Sequence, residues 1–383
     1  MSAERPLACF AITPPGVETI TATELAALGT RVAGTEPGGV SFDAPPAELY
    51  AANLELRTAS RLLIRLAEFP ARAFYELERK ARRVPWASVL SPGAPARFRV
   101  TSRKSRLYHQ DAIAERLLAA SGGAAARETP DEEDESGAEA GNTQLFVVRV
   151  LRDVVTVSAD SSGELLHRRG YRLATGKSPL RETLGAAMLL AAGYDGGSAL
   201  LDPFMGAGTL PIEAALIARR IPPGWRRSFA FERWPTFETA AWARVRGQAE
   251  SRMLAAAPAP IVGADRDAGA VEAARGNAER AGVAGDLRLT QAAVSALNPP
   301  AGRGLVATNP PYGVRMGDRR ELRNLFARLG SVLRERCPGW TLAILTAARE
   351  HEAALGLTLE PRWQSSNGGV KVRCSVGVVG SDI

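Results

Sequence analysis

Cysteine and histidine are scarce in this 383-residue chain, with three of each. Cys9, Cys337 and Cys374 are odd in number and far apart. They offer neither a disulfide framework nor the paired spacing of a zinc site, and they fit a reducing, cytoplasmic setting. His109, His167 and His351 are equally scattered, so no metal is expected. No apolar run reaches the length of a membrane span. The opening MSAERPLACF lacks the plan of a signal peptide, and no membrane partner is expected. A third glycine is missing as well. After Gly206 and Gly208 none follows at the spacing of Gly-x-Gly-x-x-Gly, which argues against a dinucleotide fingerprint.

What is present is length enough for two or three domains, 45% hydrophobic residues, and a net charge of +7. Residues 7–66 read as a small α/β unit. Leu7–Ile12 is strand-like, Val17–Leu28 helical, Val40–Phe42 a short strand, Pro46–Leu56 helical, and Arg61–Leu66 a strand. Residues 67–163 form a second unit. Between Arg72 and Arg106 stand ten Lys or Arg against Glu76 and Glu78. Arg99, Arg103, Lys104 and Arg106 are candidates for tracking a phosphate backbone, and Arg169 and Arg172 extend the basic character downstream. Residues 121–143 are small and acidic, with almost nothing apolar, and are expected to be a disordered surface loop without a binding role. Ser178 and Pro179 are expected to open a helix running to Leu190.

The third unit, 164–383, carries the chemistry. A strand, Ala199–Leu201, ends in Asp202-Pro203-Phe204-Met205-Gly206-Ala207-Gly208-Thr209, and a helix follows. Strand, glycine turn and helix make a nucleotide-type cradle. The acid Asp202 suits a ligand with a cationic amine, such as S-adenosylmethionine. A second strand ends at Asp265, placed to grip ribose hydroxyls, with Asp267 positioned to cap the next helix. A third strand lies near Asp286–Gln291. The fourth, Leu305–Thr308, stops at Asn309-Pro310-Pro311-Tyr312. Two prolines hold the backbone rigid. The Asn309 side-chain oxygen and the Pro310 carbonyl can then accept from one exocyclic amine, with the Tyr312 ring beside a flat base. Asp202, Asp265 and Asn309 should converge at one edge of a parallel sheet. The aromatic–basic stretch from Ile221 to Trp234 is expected to pack an inserted segment.

Asp202–Thr209 together with Asn309–Tyr312 resembles the amino-methyltransferase pattern. Arg169–Arg172, Ser178–Leu184, Pro223-Gly224, Phe231–Pro235 and Asn367-Gly368-Gly369 are similar to stretches of the THUMP-domain guanine-N2 RNA methyltransferases. The likeness covers nearly the whole chain. It implies an α/β fold: a ferredoxin-like domain, a THUMP RNA-binding module, then a Rossmann-like SAM-dependent methyltransferase domain. It implies S-adenosylmethionine as cofactor, held by Asp202, Pro203, Phe204, Gly206, Gly208, Thr209, Asp265, Asp267 and Asn309. It implies catalysis by Asn309, Pro310 and Tyr312, and a guanine in rRNA as target. The alternatives are a tRNA guanine and, on the same tetrapeptide, a DNA adenine. Such enzymes often place an acid after the third strand for the adenine amine. Here stands Gln291-Ala292-Ala293-Val294, so that contact falls to Gln291 or to a backbone N–H. The sequence stops at Ile383, so no second, fused methyltransferase domain is expected.

Overall fold

Two mixed sheets organise the chain in this computed structural model, which describes residues 6–126, 142–173, 180–312 and 319–380. The first has eight strands: β1 (Leu7–Ile12), β2 (Arg31–Glu36), β3 (Gly39–Ala44), β4 (Arg61–Pro70), β5 (Pro95–Arg103), β6 (Ala124–Ala125), β7 (Gln144–Leu151) and β8 (Val154–Asp160). Their spatial order is β2-β3-β1-β4-β8-β7-β5-β6. Helices α1 (Glu18–Ala27), α2 (Pro46–Glu55), α3 (Phe74–Ala81) and α4 (Gln110–Ser121) belong to this half. β4 continues past position 66, with a register shift between Arg65 and Ala67, and pairs with β1 near its start and with β8 along the rest. The two N-terminal units therefore share one continuous sheet.

Alternation along β5 shows how that sheet is used. Ala96 and Val100 are buried, whereas Arg97, Arg99, Thr101 and Arg103 leave the core, as period-two geometry requires. Arg149 on β7 stands opposite Thr101 in the ladder, so this face of the sheet is exposed and basic. The β7–β8 hairpin turns on Arg152 and Asp153, both at positive φ, the geometry that matches strand twist.

The expected loop 121–143 begins in order, a correction to its first residues. Ser121 still belongs to α4, Gly122 caps that helix at φ 70, and Ala124–Ala125 pairs in parallel with Pro95–Ala96. The acidic residues 127–141 lie outside the described residues, as do Ser178 and Pro179. The described helix there, α5 (Glu182–Ala191), has Arg181 at its N-cap position with no side-chain cap.

The second sheet comprises β9 (Ala199–Asp202), β10 (Ile261–Asp265), β11 (Leu287–Gln291), β12 (Gly304–Thr308), β13 (Thr341–Thr346), β14 (Glu360–Asn367) and β15 (Val370–Val378), in the order β11-β10-β9-β12-β13-β15-β14. The first five strands are parallel, and β15 runs antiparallel to both its neighbours. Helices α6 (Thr209–Ala218), α7 (Thr239–Glu250), α8 (Ala268–Ala281), α9 (Arg319–Arg336) and α10 (Arg349–Ala354) follow the strands. Successive strand residues serve opposite cores. Leu200, Leu305, Ala343 and Leu345 pack with α5 and α6, while Leu201, Val306, Leu342 and Ile344 pack with Phe326, Leu329 and Leu333 of α9. That is a doubly wound sheet, and its strand order reverses between β9 and β12, where such sheets open a ligand crevice.

The long connection between α6 and β10 does pack, as its composition suggests. Phe229, Phe231, Trp234 and Trp242 are buried in the core of the N-terminal half. Phe231 stacks on Tyr50 of α2 at 4.4 Å, and Trp234 donates its indole N–H to Gln144 at 2.8 Å.

Candidate functional site

The crevice forms where β9, β10 and β12 end. Asp202 closes β9 and is 1% exposed. Its Oδ1 accepts from the Phe204 N–H at 3.1 Å and from the Thr308 hydroxyl at 2.8 Å. Thr308 thus ties the end of β12, and with it Asn309, to the start of the cradle. Burial pushes the Asp202 carboxyl up to about 7; the Thr308 and Phe204 hydrogen bonds oppose that rise and the nearby Asp265 charge adds to it.

The cradle is held from the side of β10. Met205 N–H donates to the Ala264 carbonyl at 3.0 Å, and Gly206 N–H to Asp265 Oδ2 at 3.0 Å. The other carboxylate oxygen of Asp265 accepts from Asp267 N–H at 3.0 Å. Each oxygen has a second lone pair, so both can still receive hydroxyls. Asp267 caps α8 through Gly269 N–H at 2.8 Å, as expected. Gly208 sits at φ 86, where a Cβ would come within 3.0 Å of Ala274 Cβ, so no larger residue fits between cradle and α8. Asn277 of α8 fixes the loop again, donating to the Ala207 carbonyl at 2.9 Å. Gln291 ends β11 in register with Asp265, with its amide on the Arg266 carbonyl at 3.2 Å. These observations fit a small ligand with ribose hydroxyls and a cationic group. Pro203 and Phe204 lie in the cradle's first turn.

Asn309 and the buried Pro310 follow β12 directly. The Tyr312 hydroxyl donates to Asn309 Oδ1. Tyr312 is partly buried, and its ring packs at the edge of the core behind α5 and α6. Burial raises its pKa, and Asn367 and Asn309 work against that rise.

Two expected RNA contacts are corrected. Arg169 is 3% exposed, and its guanidinium is paired with the fully buried Glu213 of α6 at 3.4 Å. It also donates to the Leu166 and Arg57 carbonyls at 2.6 and 2.5 Å. Burial disfavours its charge, but Glu213 and Glu182 hold its pKa above the ordinary arginine value. Arg172 is largely buried too, paired with Glu182 at 3.0 Å and bonded to the Thr209 hydroxyl at 2.6 Å. Both arginines brace α6 from behind, and the Thr209 hydroxyl is spent there. Arg99, Arg103, Lys104 and Arg106 are exposed in the N-terminal half. Lys104 lies at φ 51, and Arg106 N–H donates to Asp153 at 2.8 Å. The partners of Thr308, Asn277 and Asn367 escape a reading of the sequence because they are distant in the chain. Among the described residues no cluster could hold a metal, and no helix is long and apolar enough to cross a membrane.

Comparison with known proteins agrees with this geometry. A family profile described as "RMKL-like, methyltransferase domain" matches residues 169–374, and one described as "RlmL ferredoxin-like domain" matches residues 8–63. The ribosomal RNA large subunit methyltransferase K/L of Syntrophotalea carbinolica is 35% identical over 97% of this chain and 53% of its own length. The chain thus spans about half the length of the K/L relatives. A Listeria monocytogenes structure, a predicted N6-adenine-specific DNA methylase, is 33% identical over 96% of each chain with a TM-score of 0.84. SMU.472, solved in complex with SAH, is 28% identical over 99% of this chain and 100% of that one with a TM-score of 0.86. The chain belongs to the RMKL-like methyltransferase family, with an RlmL-type ferredoxin-like domain at its N-terminal end.

Proposed function

We propose that the chain is an S-adenosylmethionine-dependent RNA methyltransferase acting on the exocyclic N2 amine of a guanine in ribosomal RNA, with a tRNA guanine as the alternative target. The observation that carries this reading is the Thr308–Asp202 hydrogen bond. It ties the end of β12, which leads into Asn309, to the start of the glycine cradle at the point where the strand order reverses, and so supports Asn309 as the amine acceptor. S-adenosylmethionine, when bound, supplies a methyl already activated on a sulfonium. Asp265 is the group for its ribose, and the cradle from Asp202 to Gly208 takes the rest. Asn309 Oδ1 and the Pro310 carbonyl accept from the target amine and aim its lone pair, and the Tyr312 ring stacks on the base. Positioning then supplies most of the rate gain. A paired base must be turned outward to reach this pocket.

Relatives named as rRNA methyltransferases and the exposed arginines of β5 favour RNA as partner. The DNA-methylase name of the Listeria structure keeps adenine as the competing substrate. Methyl transfer to rRNA fragments, tRNA and duplex DNA, read by mass analysis of nucleosides, separates them. N2-methylguanosine in rRNA is expected, and N6-methyladenine in DNA would overturn the RNA reading. Asn309→Ala should slow single-turnover transfer by about 3–4 kcal/mol of barrier, by analogy with a single oxyanion-hole donor. A near wild-type rate would make the tetrapeptide a structural turn.

A further inference from the structure

We infer that the loop from Arg103 to His109 is a stacking platform for an unpaired nucleotide of the RNA, with the Tyr108 ring as its surface; this rests on the RNA reading given above. Tyr108 is 66% exposed, so its ring adds little to the core. The His109 side chain leaves α4 uncapped and lies instead against the Tyr108 ring, with centroids 4.1 Å apart and planes at 39° to each other. One face of the tyrosine is thereby covered and its orientation held, while the rest of the ring stays open to solvent. Leu107, just before it, is 4% exposed and anchors the loop in the core of the N-terminal half.

The loop is pinned from both sides. The Ser102 hydroxyl donates to the Leu107 carbonyl at 2.6 Å, and the Ser105 hydroxyl to the Arg103 carbonyl at 3.0 Å. From the β7–β8 hairpin, Arg152 N–H donates to the Arg103 carbonyl at 3.3 Å and Asp153 N–H to the Ser105 hydroxyl at 3.0 Å. One carboxylate oxygen of Asp153 accepts from Arg106 N–H at 2.8 Å, and the other pairs with Arg72 at 3.2 Å. A loop already ordered loses little freedom when a ligand settles on it. The charge around the ring is of one sign. No acid stands between Arg97 and Gln110. Arg103, Lys104, Arg106 and Arg152 are exposed, and none of these four side chains has an ion-pair partner among the described residues. Asp153, the acid within the cluster, is already engaged. Unpaired cations suit phosphates, and an open ring suits the face of a base. Every base has such a face, so the platform tolerates any sequence. Inside a duplex those faces are stacked on one another, so the occupant is a nucleotide of a loop, bulge or tail.

The test uses the full chain and two RNA probes. One is a hairpin with a single-stranded tail of about five nucleotides carrying 2-aminopurine; the other is the same hairpin cut blunt. The wild type should bind the tailed hairpin roughly tenfold more tightly and quench the 2-aminopurine by stacking. Tyr108→Ala should lose both the preference and the quenching. Its melting temperature and its salt slope on the blunt hairpin should stay as in the wild type, because stacking releases no counterion. Tyr108→Phe should keep both the preference and the quenching. Equal wild-type affinity for the two hairpins, or a tail preference that survives in Tyr108→Ala, would overturn the inference. So would a loss in Tyr108→Phe as large as in Tyr108→Ala, since the hydroxyl rather than the ring would then be the contact. Charge reversal at Arg103, Lys104 and Arg106, measured on the blunt hairpin, separates the two levels. Unchanged affinity and salt slope there remove the RNA reading of the basic face, and the platform with it. A flattened slope there, together with an intact tail preference in Tyr108→Ala, removes only the platform.

Discussion

Arg103, Lys104 and Arg106 sit in one basic run and Arg168, Arg169 and Arg172 in another, and the fold treats the two in opposite ways. The first group stands exposed at the end of β5. In the second, Arg169 is sealed against Glu213, and Arg172 against Glu182 and Thr209, behind the helix that starts at the cofactor cradle. Charge in the first region is held out in solvent. Charge in the second is matched inside the chain, and it holds α6 to the segment 164–173 and to the N-terminal half through the Arg57 carbonyl. Arg57 strengthens that joint, donating to the Ile221 carbonyl at 2.7 Å. Basic residues near a catalytic domain are therefore of two kinds, and burial separates them.

The sharpest way to break this comparison is Arg169→Ala. Removing one partner of a buried pair leaves Glu213 uncompensated, and a loss of about 3–5 kcal/mol of stability is expected in denaturant unfolding. A variant as stable as the wild type would mean that Arg169 is not the brace. Next in size is Asp265→Ala, at the front of the same cradle. Losing charge-assisted bonds to ribose should weaken S-adenosylmethionine binding by roughly 1.5–3 kcal/mol with little change in unfolding. Unchanged affinity by calorimetry would move the ribose contact to Asp267.

Charge reversal at Arg103, Lys104 and Arg106 probes the exposed region. It should lower RNA affinity by on the order of tenfold at moderate salt and flatten the salt dependence, while melting temperature and cofactor affinity stay put. An unaltered salt slope would make this run a solvated face. A further effect concerns Asp202 and pH. Its carboxyl titrates at about 7 in the folded chain, against about 3.9 unfolded. The native state therefore binds the extra proton between those values. The associated stability is fully present below about pH 4 and is lost as pH rises through 7. Asp202→Asn removes that titration. Without cofactor, the drop in melting temperature from pH 5 to pH 8 should be a few degrees smaller in the variant. An identical drop in both proteins would place the Asp202 carboxylate in contact with water.

Much of the architecture could be read along the chain, for local reasons. Leu7–Ile12, Pro46–Leu56 and Leu305–Thr308 announce themselves by apolar pattern and by the prolines that bound them, after the two strands and at the start of the helix, and each forms within a residue or so of expectation. Strands such as β5 and β8 run two or three residues further than their apolar stretches, because ladder pairing continues past the last hydrophobic side chain. β2 and β14 gave no such signal. Arg31–Glu36 is nearly all exposed, and Glu360–Asn367 is polar with Pro361 near its start. Both lie at sheet edges, where one flank and much of the surface face water.

The sequence by itself determined which groups end the strands: Asp202, Asp265 and Asn309 each follow an apolar run, and a parallel sheet must deliver all of them to one edge. Side-chain type, turn chemistry and spacing are local properties, and they suffice for that. Only the tertiary structure decided that Arg169 faces Glu213 rather than solvent, that Thr308 holds Asp202, and that Asn277 holds the Ala207 carbonyl. Each of these pairs joins residues far apart in the chain. A buried polar group must find a partner wherever packing places one, and that partner is chosen by how helices and strands stack, which no short stretch of sequence encodes.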